Sequence, residues 1–118
     1  MNAQLMIFSG RPDPEFPLPE DTVSALITRL TEVMAGTMSE PPAEGGLGYR
    51  GFRLVNDENR EGLPQELEVF RGVVTEISEG AQRHFVDSAG VEGLLLEQTR
   101  AAGLGELLDQ VGFGEGIA

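Results

Sequence analysis

The sequence predicts a small α+β domain in which a sheet of about three strands packs against two or three helices. Three observations carry that expectation. Apolar residues recur at three- and four-residue steps over residues 20–35. Short runs rich in β-branched and aromatic residues, bounded by Gly and Pro, fall at 4–8, 49–55 and 66–77. The length of 118 residues with 40% apolar content suits one core without disulfide staples.

Residues 4–8, Gln-Leu-Met-Ile-Phe, read as a first strand that Ser9-Gly10 ends. Four prolines at 12, 14, 17 and 19 then forbid helix and impose an extended path. The helix over 20–35 begins after Pro19, with Glu20 and Asp21 at the positive end of its dipole. Val23, Leu26, Ile27, Leu30, Val33 and Met34 form its apolar stripe, and Gly36 is the expected C-terminal cap. Residues 37–48 lack periodicity and read as a loop. Tyr49–Val55 reads as a second strand and Asn56–Pro64 as a polar loop. Glu66–Ile77 reads as one long strand with a bulge or bend at Gly72. Residues 79–89 favour neither state. Asp87 or Ser88 is placed to cap a helix through Val91, Leu94, Leu95 and Gln98, ending near Gly103. A short helix over 104–111 follows. The domain spans 1–111, and the Gly-rich segment 112–118 is expected to be a flexible tail.

The chain carries twenty Asp and Glu against eight Arg, with no Lys, no Cys, no Trp and one His, for a net charge of −12. That balance opposes nucleic-acid binding, which needs cations to neutralise phosphate. It equally opposes anionic membranes, and no apolar run reaches the length of a spanning helix. It favours solubility and is compatible with a basic protein partner, the bland alternative being a solvated acidic surface with no partner, and it is compatible with a homodimer built through an uncovered sheet face. The absence of Cys and of a secretory leader makes the cytoplasm the expected location. No cofactor or metal is expected, because one His and no Cys supply too few ligands for a transition metal. Asp57, Asn59, Glu61, Gly62 and Glu68 match the ligand spacing of a calcium loop. Glu61 is long for the fifth position, Pro64 lacks an N–H, and a strand precedes the loop, so chance in an acid-rich chain is the better account. His84, Asp87 and Ser88 are local neighbours without an oxyanion hole. The catalytic inventory is thin enough that no enzyme is expected.

Two segments stand out. Ser9-Gly10-Arg11-Pro12-Asp13-Pro14 holds Arg11 and Asp13 on a path stiffened by proline, and a rigid Arg fork can grip a carboxylate. Gly48-Tyr49-Arg50-Gly51-Phe52 places the single Tyr, an Arg and a Phe between glycines, and Tyr and Arg are enriched where partners bind. The bland alternative for both is structural: a loop Arg paired with an acid of its own chain, and aromatics serving the core. The run Arg50–Val55 departs from an RNA-recognition signature at Arg53 and Leu54.

With Ile7-Phe8 before the first segment and Leu47 before the second, the pair resembles a group of small bacterial proteins with an N-terminal SGRPxP motif and a central GYRGF motif. The resemblance covers about fourteen residues and implies a bacterial origin and a shared role for the two motifs. No activity comes with it. The group has Asn and Trp near the first motif, where this chain has Asp13 and Phe16, which implies a weaker ligand contact there.

These residues lead to a small acidic binding or accessory protein that acts through protein–protein contacts without catalysis. Arg11, Asp13, Phe16, Tyr49, Arg50 and Phe52 are the expected partner-binding residues. The alternatives are a precursor-type protein whose C-terminal tail is processed, and an immunity-type inhibitor of a basic toxin.

Overall fold

The computed structural model describes residues 1–7, 12–42 and 49–110. Phe8 of the first expected strand, Arg11, the loop residues 43–48, Val111 and the expected tail 112–118 lie outside them. The element order is β1 (Asn2–Leu5), β2 (Glu15–Pro17), α1 (Glu20–Met34), β3 (Phe52–Val55), β4 (Glu66–Phe70), β5 (Val73–Ser78), β6 (Ala81–Val86), α2 (Val91–Ala101) and α3 (Gly105–Gln110). Among the described residues, six strands form one antiparallel sheet in the order β2-β1-β3-β4-β5-β6. The α+β class and the three helices match expectation. The sheet is twice as wide as the sequence suggested.

The extra strands have specific causes. The run 66–77 is two strands, because Arg71 and Gly72 adopt φ of 49° and 77° and fold the chain back on itself. Phe70 then pairs with Val73, which makes a two-residue hairpin of the kind that needs both central residues left-handed. Gly72 is therefore a turn residue and not a bulge. The same device recurs at Glu79 and Gly80, with φ of 51° and 80°, and generates β6. The third addition is β2, where proline-rich chain pairs with β1 at the sheet edge. Pro17 is tolerated there because an edge strand need not donate to a second neighbour.

α1 leaves β2 and returns the chain to β3, on the far side of β1. Thr22, Val23, Leu26, Leu30 and Val33 are its buried face, close to the stripe read from sequence. Its C-terminal cap is Ala35 in a right-handed conformation, and Gly36 donates its N–H to Val33 O at 3.0 Å. The C-terminal cap is thus Ala35 and not the expected Gly36. At the other end, the Arg60 fork grips Glu20, with Nη1 to Oε2 at 2.7 Å, and ties α1 to the β3–β4 loop. That hydrogen bond holds the Glu20 carboxyl below its ordinary value. α2 starts where Asp87 accepts the N–H groups of Val91 (2.7 Å) and Glu92 (2.9 Å), so one of the two expected residues serves the first turn, although the N-cap position itself is held by Gly90.

The core lies between the helices and one face of the sheet. Leu5, Phe16, Phe52, Leu54, Val69, Val74 and Phe85 meet Leu26, Leu30, Val33, Val91, Leu95 and Leu108. Each fully buried Leu or Phe contributes about 2 kcal/mol by its removal from water. Alternate residues point the other way, and no residue of that opposite face belongs to the core cluster.

Candidate partner-binding patch

The described parts of the two sequence motifs meet at one end of the sheet. β1 and β3 are antiparallel neighbours, so the exit of one lies beside the entry of the other. Past the last strand pair the two chains remain bonded, with Arg50 N to Met6 O at 2.7 Å and Met6 N to Gly51 O at 2.9 Å. Asp13 closes the arrangement. Its Oδ1 accepts the N–H of Ile7 at 2.9 Å, and its Oδ2 lies 3.6 Å from Arg50 Nη2. The Asp13 side chain is 14% exposed and that of Arg50 is 38% exposed, so Asp13 is the more enclosed member of the pair.

Gly51 explains the second glycine of the central motif. Its φ is +91°, and a Cβ there would stand 2.1 Å from the carbonyl oxygen of Val69. Only glycine lets the β3 entry pass this close to β4.

Tyr49 is organised by α2. Its hydroxyl donates to Glu92 Oε2 at 2.5 Å, while Glu92 Oε1 accepts the N–H of Gly72 at 2.9 Å. One carboxylate at the start of α2 thus holds both the motif tyrosine and the β4–β5 turn. Burial first, and then the bond to the charged Glu92, push the Tyr49 phenol far above its ordinary range. The Tyr49 ring packs edge-on against Phe52 (6.0 Å) and Phe70 (5.7 Å). Arg71 covers the Phe70 ring at 5.0 Å, which places a second guanidinium beside the patch.

Of the six residues singled out from sequence, Asp13, Tyr49 and Arg50 are gathered here. Phe16 (2% exposed) and Phe52 (0%) stack edge-on at 6.3 Å inside the core, so a partner's atoms do not reach them in this fold. Their role is the structural one. Arg11 lies outside the described residues. Glu92 and Arg71 were not singled out, and nothing in their local sequence marks them, since their placement depends on a hairpin whose turn was not legible.

The calcium-spaced residues are arranged for another purpose. Asn56 staples that loop, its Nδ2 donating to Arg60 O (3.0 Å) and Leu63 O (3.2 Å) and its Oδ1 accepting Arg60 N (2.8 Å). Glu68 sits in β4 between Arg53 and Thr75. Among the described residues no group of three or more His, Cys, Asp or Glu is placed to hold a metal ion. His84 lies in β6, bonded through Nδ1 to the Thr75 hydroxyl at 2.8 Å. No described helix is long and apolar enough to cross a membrane. No family model, curated protein or solved structure matches the chain.

Proposed function

We propose that this chain is a small non-catalytic binding or accessory protein of the cytoplasm, acting through protein–protein contacts at the patch around Asp13 and Arg50. The observation that supports this reading is the convergence of the two motifs, pinned by Asp13 to Ile7 N and to Arg50. An arginine side chain held at a fixed sheet end and 38% exposed offers a preorganised contact surface, and preorganisation lowers the entropic cost of binding. The charge of −12 favours a partner whose remaining surface is basic. Membership of the group that pairs the SGRPxP and GYRGF motifs is part of this proposal.

The test is affinity capture of the tagged chain from its native lysate, with wild type and Arg50→Ala in parallel. Arg50→Ala keeps the backbone bond to Met6 and leaves the core intact. The expected result is one stoichiometric protein that wild type retains and the variant loses. Equal capture by both, or no partner with either, would sink the proposal. Intact mass of the bait is recorded alongside, and a bait trimmed or modified within 112–118 would favour the precursor role instead.

A further inference from the structure

The sheet face opposite the helices is crossed by one row of register partners, from edge to edge Glu15, Gln4, Arg53, Glu68, Thr75 and His84. The row is complementary to its own reverse. Acid stands at one edge and imidazole at the other, amide mirrors hydroxyl, and at the centre Arg53 mirrors Glu68. We propose that this face binds a second copy of the chain, about a two-fold axis parallel to the strands and between β3 and β4.

That axis lays β3 of each copy over β4 of the other. Arg53 then faces Glu68 of the second copy, and Glu68 faces Arg53. Within one chain these two residues are already neighbours on adjacent strands, so the dimer centre is a square of alternating charges. Glu68 gains a second opposite neighbour, and Arg53, already bridged to Glu66 of its own chain at 2.8 Å, gains a further one, which offsets the cost of taking these charges out of water. Outward from the centre, Gln4 faces Thr75, which is 3% exposed and already bonded to His84, and Glu15 faces the His84 edge. A two-fold axis across the strands would instead stack Arg53 on Arg53 and Glu68 on Glu68. The row therefore selects one orientation and penalises the other.

Val55 (44% exposed) and Val86 (42%) belong to this face by register, as do Val73 and Ile77. A hollow of about 500 Å³ opens beside Gln4, Glu15, Arg53, Asp57 and Glu58. The same axis sets that hollow opposite the β6 side of the second copy. The adjoining row, Val55, Glu66, Ile77 and Gln82, offers no reciprocal pairing, and Glu66 there serves Arg53 of its own chain at 2.8 Å. Six strands at about 4.8 Å and five residues at about 3.4 Å give a face on the order of 500 Å² in projection. A standard interface buries ~800 Å² per partner, so this face lies at the small end of what a stable dimer uses.

Sedimentation equilibrium tests the proposal, with circular dichroism confirming that each variant is folded. Wild type is expected at twice the 12.7 kDa chain mass. Arg53→Glu and Glu68→Arg each place like charges across the centre and are expected to run as monomers. Mixed in equal amounts they are expected to form a heterodimer, and the double variant R53E/E68R is expected to regain the homodimer. Wild type that stays monomeric up to about 1 mM, where a complex worth only ~4 kcal/mol is half-formed, would overturn the proposal. Single variants that dimerise like wild type would do the same, since another surface would then be responsible. Neither outcome bears on Arg50, so the partner patch stands or falls separately.

Discussion

The chain offers an unusually clean alkaline titration. It has one Tyr, no Lys and no Cys, so between the amino terminus and the arginines Tyr49 is the group expected to titrate. Its phenol is raised above the ordinary value by burial and by the Glu92 carboxylate. The unfolded chain loses that proton near pH 10, whereas the folded chain keeps it. Above pH 10 the unfolded state therefore binds fewer protons than the native state, and stability falls as pH rises. The slope for one such group is about 1.4 kcal/mol per pH unit, and it persists until the folded phenol itself ionises. Between pH 10 and 12 the loss amounts to about 2–3 kcal/mol. Tyr49→Phe removes the slope while costing about 1.5–3 kcal/mol at neutral pH, the worth of a hydrogen bond to a charged acceptor. The assay is urea unfolding at successive pH values for both proteins, with tyrosinate absorbance followed in parallel. Native protein is expected to show no tyrosinate until it unfolds. Tyrosinate appearing near pH 10 with the circular dichroism unchanged would refute the Tyr49–Glu92 geometry.

Two further predictions test how the patch is built. Gly51→Ala combines a φ of +91° with a Cβ 2.1 Å from Val69 O, whereas Gly72→Ala has a φ of +77° and nothing within 4 Å. The first is expected to cost about 3–5 kcal/mol and the second only about 1–2; a difference below about 1 kcal/mol between their urea midpoints would rule out the close approach of β3 to β4. Asp87→Ala leaves the N–H groups of Val91 and Glu92 without their acceptor and is expected to cost about 1–2 kcal/mol in thermal or chemical unfolding. An unchanged midpoint would mean that Asp87 does not hold the start of α2.

The legible parts of the fold were those with strong periodicity or a familiar terminator. α1 announced itself through Val23, Leu26, Leu30 and Val33, and α2 through the acid that serves its first turn. The two hairpins were hidden because their turns are Arg-Gly and Glu-Gly. The left-handed first position usually carries Asn, Asp or Gly, and here Arg71 and Glu79 are forced into it. β6 was hidden because Gln82, Arg83 and His84 break the alternation of apolar and polar residues that marks a half-buried strand. β2 was hidden by its prolines, which exclude a central strand but not an edge. For the patch, the sequence supplied the motif residues but not their adjacency. That follows from the β1–β3 register, a long-range fact which spacing along the chain does not encode. The same register separates Phe16 and Phe52 from the surface, since their parity along β2 and β3 points them at the helices.

The two proposed surfaces have a geometric relation that neither requires alone. The motif patch sits where β3 begins, at one end of the strands, whereas the second copy is proposed to cover the broad face. A two-fold axis parallel to the strands leaves each strand end at the same level in both copies. Both Arg50 patches of such a dimer therefore point toward one end of the assembly. Two low-affinity contacts presented together gain by effective concentration, on the order of 10²–10⁴ over either alone when the partner is itself repeated or surface-bound. A monomeric Arg53→Glu variant retains its Arg50 patch, so its affinity for a single free partner is expected to match wild type. On a partner-coated surface the same variant is expected to dissociate far faster. Equal dissociation of the two from that surface would mean that the patches do not act as a pair.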